Sequence, residues 1–392
     1  MHPIRPDLER IKNLMTEIGI DLLIAASPQN VFYLSEVPVH YTNRNALLYS
    51  VRNNSPFFCF LPLDNEPKLI FTSSALEIVD KFSWIKDKII YKTGTYIVRE
   101  SKYPFTIFEN YKSALEQAIK DLNPKNIGVD YNLTTYKLAM DLANVLDNLN
   151  LKSKDASNVF LKARMIKNSE ELRRFREANR IIDKSLLKAI SEISIGMTEM
   201  EIQNIFKHEM LKEGAEGWFQ TTVAAGPVNG PDIFNQPGDR VIRKNDIVRF
   251  DVSCVYRGFG CDISRTVCVG TAPAEAIKLY NILERSESLL LENAKPGIKA
   301  CDLYSIAVNY VRKEFDQNYT RGNVGHGVGV ELYDQPEISA NDETRLQPGM
   351  TLSLEVPYHK FGLGGFNIED SVIVVEDGIE VVTSLPRELL EV

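Results

Sequence analysis

The first 155 residues alternate segments of helical spacing with almost wholly apolar segments. Residues 5–19, RPDLERIKNLMTEIG, place apolar side chains on one helical face, and residues 20–27, IDLLIAAS, form a nearly continuous apolar run. The first pattern predicts an amphipathic helix and the second a buried strand. The alternation returns as NIGVD (126–130) and TTYKLAMDLANVLDNL (134–149). We therefore predict an α/β domain over residues 1–155, without a cluster of metal-ligating or nucleophilic side chains.

A second domain is predicted over residues 156–392, because the pattern changes at Asn168. Asn168 is followed by Ser169, Glu170 and Glu171, which is the signature of a helix N-terminus with a reciprocal capping box. Apolar side chains then recur at helical spacing: Leu172, Phe175, Ala178, Ile182, Leu186 and Ile190. A long helix is therefore expected to open the second domain.

Two segments of the second domain have similar patterns. Gly196 precedes the helical segment EMEIQNIFKHEMLKEG, and Gly297 precedes ACDLYSIAVNYVRKEF. Each copy continues to a strand that ends on an acid, RVIRKNDIVRFD at Asp251 and RLQPGMTLSLE at Glu355, at nearly equal distances after the glycine. This repetition predicts an α+β domain with an internal pseudo-twofold duplication, whose two half-domains face each other across a site.

The first acid pair lies in the stretch FDVSCVYRGFGCDISRT, which has the pattern strand, turn, strand. A turn at Tyr256 and Arg257 would place Asp251 and Asp262 directly opposite each other, with their Cβ atoms roughly 5 Å apart. A bulge at the glycines that follow would shift this pairing. Two carboxylates at that distance repel each other unless a cation or a shared proton lies between them.

The second acid pair repeats the arrangement. Glu355 and Glu369 would pair across a hairpin centred on Gly362. Four carboxylates that converge on one point are best explained by a pair of divalent metal ions. His326, in the stretch VGHGVGVEL, lies between glycines that permit close backbone approach, and we predict that it adds a nitrogen ligand.

Composition narrows the class of protein. The chain has 392 residues, 44% of them hydrophobic, and a formal net charge of −8, which argues against a nucleic-acid partner. We find no apolar run of membrane-spanning length and no apolar signal-peptide core, and we predict no membrane partner. The five cysteines are an odd number in a large chain, which indicates a reducing cytoplasm rather than a disulfide framework.

The order Asp, Asp, His, Glu, Glu, in the settings FDVSCVYRGFGCDISRT, GHGVGVEL and SLEVP…GGFNIEDSVIV, resembles the M24 metallopeptidases. That family includes methionine aminopeptidase, Xaa-Pro aminopeptidase, prolidase and creatinase. The resemblance covers about residues 165–392, for which it implies the pita-bread fold. It extends more loosely over residues 1–155, which are similar to the N-terminal domain of creatinase and prolidase.

The resemblance also implies a set of metal ligands. Asp251 would chelate one ion, His326 and Glu355 the other, and Asp262 and Glu369 would bridge the two. A hydroxide that bridges the ions would be the nucleophile, and Glu355 would also shuttle its proton. Four carboxylates and one imidazole suit Mn²⁺, Co²⁺, Fe²⁺ or Zn²⁺, of which Mn²⁺ is favoured.

Two histidines that are usual in prolidase-like members are missing. In GPDIFNQPGDR, Phe234 stands at the position of the first, with Asn235 next to it, and in GHGVGVELY, Tyr333 stands at the position of the second. Those histidines bind the substrate carbonyl or move protons in the peptidases. Asn235 and Tyr333 can donate hydrogen bonds, but neither titrates near neutral pH. We therefore predict that both are catalytic residues without an acid–base role.

The resemblance implies a dinuclear-metal exopeptidase, either an Xaa-Pro dipeptidase (prolidase) or similar to Xaa-Pro aminopeptidase, acting on short peptides. The alternative is a non-peptidase hydrolase or lyase for a small polar molecule, as in creatinase, ectoine hydrolase or the sulfoniopropionate lyases. The missing histidines favour this alternative. A binding protein on an inactive fold is a third reading, against which the complete ligand set argues.

The resemblance further implies a homodimer, in which the N-terminal domain of one subunit can reach the active site of the other. His40, Tyr41 or Arg44 are candidates for that contact, although an ordinary loop is the preferred interpretation.

The other histidines and cysteines have structural explanations. Cys254 and Cys261 alternate with the acids, so we expect them to face away from Asp251 and Asp262 and to pack in the core. His208 is expected on the solvent face of a helix. His359 is expected in an exposed turn.

Overall fold

The fold is that of a computed structural model, which describes residues 4–39, 55–93 and 107–392. Residues 1–164 and 165–392 form two compact units. The candidate contact residues His40, Tyr41 and Arg44 lie outside the described residues. In the described ranges, no helix has both the length and the apolar character that crossing a membrane requires.

The first unit is a mixed α/β layer structure. Its helices are α1 (Leu8–Glu17), α2 (Pro28–Ser35), α3 (Leu76–Phe82), α4 (Tyr111–Leu122), α5 (Tyr136–Asn148) and α6 (Ser157–Met165). Its strands are β1 (Leu22–Ala25), β2 (Phe58–Pro62), β3 (Lys68–Thr72), β4 (Asp87–Tyr91), β5 (Ile107–Phe108), β6 (Ile127–Val129) and β7 (Ser153–Asp155). The sheet order is β5-β4-β3-β2-β1-β6-β7, with parallel and antiparallel neighbours. The helices and strands predicted around residues 5–27 and 126–149 are confirmed as α1, β1, β6 and α5.

The second unit begins with the long helix that the capping box predicted. Its helices are α7 (Ser169–Glu192), α8 (Glu199–Lys212), the short α9 (Gly226–Asn229), α10 (Ala274–Asn293) and α11 (Ala300–Glu314). The Asn168 side chain accepts from the backbone N–H of Glu171 (3.0 Å), and the Glu171 carboxylate accepts from the backbone N–H of Asn168 (2.7 Å). Both donors are among those that a helix start leaves without partners, so this exchange defines where α7 begins.

One large sheet carries the polar residues of interest. Its strands are β8 (Thr221–Ala225), β9 (Asp246–Tyr256), β10 (Phe259–Val269), β11 (Asn323–Gly327), β12 (Asp334–Ser339), β13 (Thr351–Glu355), β16 (Glu369–Val375), β17 (Gly378–Val381) and β18 (Leu390–Glu391). The order along the sheet is β12-β11-β13-β16-β10-β9-β8, while β17 pairs with β16 and β18 with β10. Strands β14 (Tyr358–Lys360) and β15 (Gly364–Phe366) form a separate two-stranded sheet.

The predicted duplication is visible as a repeated junction between a glycine turn and a hairpin. The backbone N–H of Gly196 donates to the carbonyl of Ile242, and that of Gly297 donates to Leu346. Both glycines have positive φ, 99° and 91°. Each junction leads into a helix of a packed pair, α7 with α8 and α10 with α11, and each pair has its own apolar core against the sheet.

The β9–β10 hairpin turns later than expected, so the predicted direct pairing of Asp251 with Asp262 is wrong. Asp262 pairs instead with Ser253. The turn residues are Arg257 and Gly258, both with positive φ (48° and 77°), which suits a tight two-residue hairpin turn. The pairing shifts by two residues, an even number, so Asp251 and Asp262 remain on one face of the sheet.

The second hairpin follows the prediction. Glu355 pairs directly with Glu369, and the β14–β15 extension turns around Gly362, whose φ is 86°.

Cys254 and Cys261 also follow the prediction. They pair across β9 and β10 and are buried in the apolar core on the face opposite the acids. All five cysteines are free thiols.

Candidate active site

Two rows of polar side chains cross the large sheet on the face turned away from its helices. The first row runs from β9 to β13 through Asp251, Ser264, Glu369 and Glu355. The second row, two residues further along the strands, contains Ser253, Asp262, Ser371, Ser353 and His326. The apolar residues between the two rows, such as Val252 and Leu354, face the helices. Strand alternation therefore brings all five predicted metal ligands to one face.

Asp262, His326 and Glu369 form the innermost group. One donor atom from each lies within 4.8 Å of the others, and each residue is about 2% exposed. The Nδ1 of His326 lies 3.0 Å from the carbonyl of Gly327. A carbonyl only accepts, so Nδ1 carries the hydrogen and Nε2, 4.0 Å from Asp262 Oδ2, presents its lone pair to the acids.

Two glycines let the strand of His326 approach its neighbours. A Cβ on Gly325 would lie 2.4 Å from the carbonyl oxygen of Ser353, and a Cβ on Gly327 would lie 2.2 Å from that of Gln335. Glycine is required at these positions because any side chain would push β11 away from β13 or β12. The sequence-based expectation of close backbone approach is confirmed.

Burial, and then repulsion between neighbouring carboxylates, governs the pKa values of the inner acids. Burial raises the pKa of Asp262 well above its usual range, and the neighbouring Asp251 and Glu355 raise it further. The pKa of Glu369 is raised well above its usual range by burial and then by Asp262 and Glu355. Burial also raises the pKa of Asp251 and lowers that of His326. A cation among these acids would oppose each of the upward pKa shifts of the carboxyl groups.

The donor set fits a divalent cation. Oδ1 of Asp262 is buried and has no hydrogen-bond partner among the described residues, which is costly unless another group binds it. Two buried carboxylates with a neutral imidazole are ligands that suit hard or borderline ions. Asp262, His326 and Glu369 could therefore hold a metal ion between them.

The two outer acids each have an arginine beside them. Arg249 donates from Nη1 to Oδ2 of Asp251 at 3.0 Å. Nη2 of Arg321 lies 3.6 Å from Oε1 of Glu355, an ion-pair contact longer than a hydrogen bond. Each end of the acid cluster, Asp251 and Glu355, therefore has an arginine next to it.

Two amides orient the outer acids further. Gln220 Nε2 donates to Asp251 Oδ1 at 2.6 Å and lies 3.5 Å from Asp262 Oδ2. Asn367 Nδ2 donates to Glu355 Oε2 at 3.0 Å. These bonds restrict the rotation of Asp251 and Glu355 and aim their remaining lone pairs at the cluster.

The acids line a small cavity of about 100 Å³ together with Ile233, Phe234, Tyr333 and His359. Tyr333 is half exposed, and its ring lies over the imidazole of His326 with the ring centres 4.0 Å apart. Burial raises the pKa of the Tyr333 hydroxyl, and the nearby carboxylates add to the effect. The hydroxyl therefore stays protonated and can donate a hydrogen bond.

Asn235, the other predicted hydrogen-bond donor, is not among the residues that line this cavity. Its amide lies 3.3 Å from Glu199 Oε2 and 3.2 Å from the carbonyl of Val223. The Asn235 amide is directed away from the cavity because the carboxylate of Glu199 is fully buried and accepts hydrogen bonds from several N–H donors, that of Asn235 among them. The neighbouring residue Phe234, which is 85% exposed, lines the cavity instead of Asn235.

Four polar residues of this cavity were not predicted from the sequence, and one histidine was predicted wrongly. Arg249, Arg321, Gln220 and Asn367 were not singled out, although Arg249 shares the strand face of Asp251 and was therefore detectable. The expectation that His359 is an exposed turn residue is wrong, because β14 carries it, half-buried, to the cavity. His208 is exposed on α8, as expected.

Sequence comparison now places the chain among known proteins. The model of metallopeptidase family M24 matches residues 173–376, more than half of the chain. The chain belongs to metallopeptidase family M24. The model of the creatinase/prolidase N-terminal domain matches residues 8–166.

Relatives of this M24 chain align over its whole length. It is 29% identical to the Xaa-Pro dipeptidase of Pyrococcus furiosus over 385 residues, which cover 98% of this chain and 99% of the relative. The crystal structure of the prolidase from Pyrococcus horikoshii matches with a TM-score of 0.81 and 26% identity, over 98% of this chain and 99% of that chain. An Xaa-Pro dipeptidase from Bacillus anthracis shares the fold with a TM-score of 0.83 at 23% identity, over 98% and 99% of the two chains.

Proposed function

We propose that this M24 protein is a metal-dependent exopeptidase that hydrolyses Xaa-Pro dipeptides. The observation that carries the proposal is the convergence of four carboxylates and one imidazole, from both halves of the second unit, on one wall of a cavity. The relatives named Xaa-Pro dipeptidase, which match nearly end to end, support the choice of substrate. An activity similar to Xaa-Pro aminopeptidase is the nearest variant of this proposal.

Two divalent ions are part of the proposal. Asp262, His326 and Glu369 would hold them at the centre of the cluster, together with Asp251 and Glu355 of the same cavity. When bound, the ions would supply Lewis-acid activation of the attacking water and of the scissile carbonyl. Mn²⁺ is the favoured ion because carboxylates dominate the donor set, and Co²⁺, Fe²⁺ and Zn²⁺ are the alternatives.

The proton transfers are assigned to Glu355. Its carboxylate would take the proton from the attacking water as the C–O bond forms, and return it to the proline nitrogen as the C–N bond breaks. The contacts with Asn367 and Arg321 support this role because they hold the carboxylate in one orientation. The Tyr333 hydroxyl would donate a hydrogen bond to the substrate carbonyl. We assign Asn235 to loop structure, since its amide is bonded to Glu199 and Val223.

A second candidate function is hydrolysis or lysis of a small polar molecule other than a peptide. Phe234 and Tyr333 favour it, because they leave the cavity without two titrating histidines that prolidase-like proteins use.

The proposal also includes a homodimer and a cytoplasmic location. The free thiols support the cytoplasm, and light scattering would give the oligomeric state.

The test is hydrolysis of an Xaa-Pro dipeptide panel by protein stripped of metal and then reloaded with Mn²⁺ or Co²⁺. Asp262→Asn is the negative control, because it removes one charge at the centre of the cluster with little change in shape. Asp302→Asn, at an exposed position in the first turn of α11, is the matched control for the substitution itself.

Metal-dependent release of proline by the wild type and by Asp302→Asn, but not by Asp262→Asn, is the expected result. Metal binding without turnover of any dipeptide would reject the peptidase and direct the search to small betaine-like or creatine-like molecules.

A further inference from the structure

Asp251 differs from Asp262 because both of its carboxylate oxygens already accept hydrogen bonds. Gln220 Nε2 donates to Oδ1 of Asp251 at 2.6 Å, and Arg249 Nη1 donates to Oδ2 at 3.0 Å. Oδ1 of Asp262, in contrast, has no hydrogen-bond partner among the described residues. A metal ion would therefore meet an unbonded carboxylate oxygen at Asp262 and a fully bonded carboxylate at Asp251.

The arginine beside Asp251 is buried and held in place. Its side chain is 1% exposed, and its Nη2 donates to the backbone carbonyl of Asp232 at 2.9 Å. The backbone of β15 lies close against the guanidinium, since a Cβ added to Gly365 would be 3.1 Å from Nε of Arg249. Because a guanidinium stays protonated at physiological pH, Arg249 places a permanent positive charge beside Asp251.

Arg249 depends on Asp251 for the compensation of its own charge. In the part of the chain that the structure describes, Asp251 is the carboxylate to which Arg249 donates, and Nε of Arg249 has no partner. A buried charge that loses its partner is costly, since water cannot replace that partner. A metal ion on Asp251 would withdraw negative charge from the guanidinium and would be repelled by it, in surroundings where screening is weak.

The charges around the cavity also limit the number of ions. Four carboxylates and two arginines line it, and its two histidines are neutral because burial lowers the pKa of each. One divalent ion would neutralise this set, whereas a second would leave two excess positive charges. Arg321 is 23% exposed and lies 3.6 Å from Glu355, so solvent screens its charge more than that of the buried Arg249.

We propose that Arg249 is a built-in cation that competes with a metal ion for Asp251. One divalent ion would then bind tightly among Asp262, His326 and Glu369, which offer donor atoms within 4.8 Å of one another. A further ion would bind roughly 10- to 100-fold more weakly, because it must share Asp251 with the guanidinium. The proposal rests on the metal-dependent function proposed above, and it assigns Arg249 to the control of metal uptake.

The opposite role would be that Arg249 orients Asp251 as a ligand and so supports metal binding. The two roles predict changes of opposite sign. If Arg249 competes, a neutral residue in its place strengthens the binding of the second ion. If Arg249 orients, the same substitution weakens that binding. Gln220 also restricts the rotation of Asp251, so the orientation of this carboxylate does not depend on Arg249 alone.

The experiment titrates metal-free wild type and variants with Mn²⁺ in a calorimeter and records the electron paramagnetic resonance spectrum at each step. Arg249→Gln removes the positive charge and keeps an amide donor, and Arg249→Met is a second neutral variant for use if the first does not fold. Arg249→Lys restores the charge. Arg240→Gln is the matched control, because Arg240 forms a partly buried ion pair (2.8 Å) with Asp246 on the same strand, outside the cavity.

The wild type and Arg240→Gln should bind one Mn²⁺, with the spectrum of an isolated ion, before a second ion binds. Arg249→Gln should bind the second ion roughly 10- to 100-fold more tightly, so that spin-coupled pairs of ions appear already at one equivalent of Mn²⁺. Arg249→Lys should resemble the wild type, because the charge of the side chain rather than its shape causes the competition.

Unchanged or weaker binding of the second ion by the neutral variants would overturn the proposal, and weaker binding would assign Arg249 to the orientation of Asp251. Equal affinity of the wild type for two ions, or a lysine variant that binds like Arg249→Gln, would also overturn it.

Dipeptide hydrolysis by the same samples separates this proposal from the peptidase. Sequential binding that depends on Arg249, without hydrolysis, would reject the peptidase and retain the competition. Hydrolysis with two equally bound ions would do the reverse. Absence of Mn²⁺ binding in the wild type would reject the metal-dependent function and the competition together.

Discussion

At the scale of single residues, the site is defined by which carboxylates have partners. Asp251 and Glu355 are each bonded to an amide and contacted by an arginine, whereas Asp262 has a buried oxygen without a partner among the described residues. Nothing in the sequence distinguishes these acids, because the distinction depends on residues brought from distant strands. Positive counter-charge is therefore least available at Asp262 and Glu369, whose pKa values are raised well above the usual range by burial and by the neighbouring acids.

The first prediction concerns Asp262. Adding Mn²⁺ at about 100 times its dissociation constant should raise the free energy of unfolding of the wild type by about 2.7 kcal/mol for each ion bound, because the ions bind only the folded site. Asp262→Asn should lose nearly all of this increment. Thermal unfolding with and without metal measures it, with Asp302→Asn as the control. A wild-type-like increment in Asp262→Asn would contradict the assignment of this carboxylate.

A second residue-scale prediction concerns Tyr333. Tyr333→Phe keeps the ring over His326 and removes the hydroxyl, so it should lower kcat/KM for dipeptides by about tenfold, the value of one hydrogen bond of about 1.4 kcal/mol. The melting temperature should not change. Tyr136→Phe, at an exposed position of α5, is the control. Full activity in Tyr333→Phe would remove the hydroxyl from the proposed mechanism.

At the scale of elements, the hairpins explain both the success and the error of the sequence-based expectations. Period-two alternation predicted correctly which residues share a face. The turn of β9–β10 was misplaced, since the positive φ of Arg257 is unusual for a residue with a side chain and cannot be read from its identity. The β14–β15 turn was predicted correctly because Gly362 permits positive φ at no steric cost.

The element-scale prediction concerns the approach of β11 to β13. Gly325→Ala should destabilise the protein by about 2 kcal/mol or more, because the new Cβ would lie 2.4 Å from the Ser353 carbonyl and the residue has a φ of 144°. Gly322→Ala, in the same segment but with open space around it, should change stability by less than about 0.5 kcal/mol. Denaturant-induced unfolding of both variants measures the two changes in the free energy of unfolding. Equal stability of the two would show that β11 has room to move.

At the scale of the whole second unit, a buried ion cluster on the other side of the sheet connects segments that are far apart in sequence. Arg265 donates from Nη1 to the carbonyl of Glu369 (2.7 Å), from Nη2 to Asp370 (2.5 Å), and from Nε to the carbonyl of Pro386 (2.8 Å). The cluster joins β10, β16 and the C-terminal segment. It also anchors the backbone of one candidate metal ligand.

The prediction at this scale compares a buried ion pair with an exposed one. Arg265→Met should destabilise the protein by about 3 kcal/mol, because it leaves the buried Asp370 carboxylate without its main partner. Arg176→Met removes an exposed pair with Glu380 and should cost less than about 1 kcal/mol. Denaturant-induced unfolding of the two variants gives the loss of stability that each substitution causes. Similar values for the two variants would show that the cluster does not stabilise the fold.

Sequence patterns were sufficient to predict the α/β first part, the capped helix α7, the duplicated second part and the acids that share one face. These features follow from local rules: helical and strand periodicity, capping residues and the spacing of repeated segments. Contacts between distant segments set the remaining features: the register of β9 against β10, the position of His359 at the cavity, the hydrogen bond of the Asn235 amide to Glu199, and the two arginines beside the acids. These depend on turn conformation and on contacts between distant segments, for which no local pattern exists.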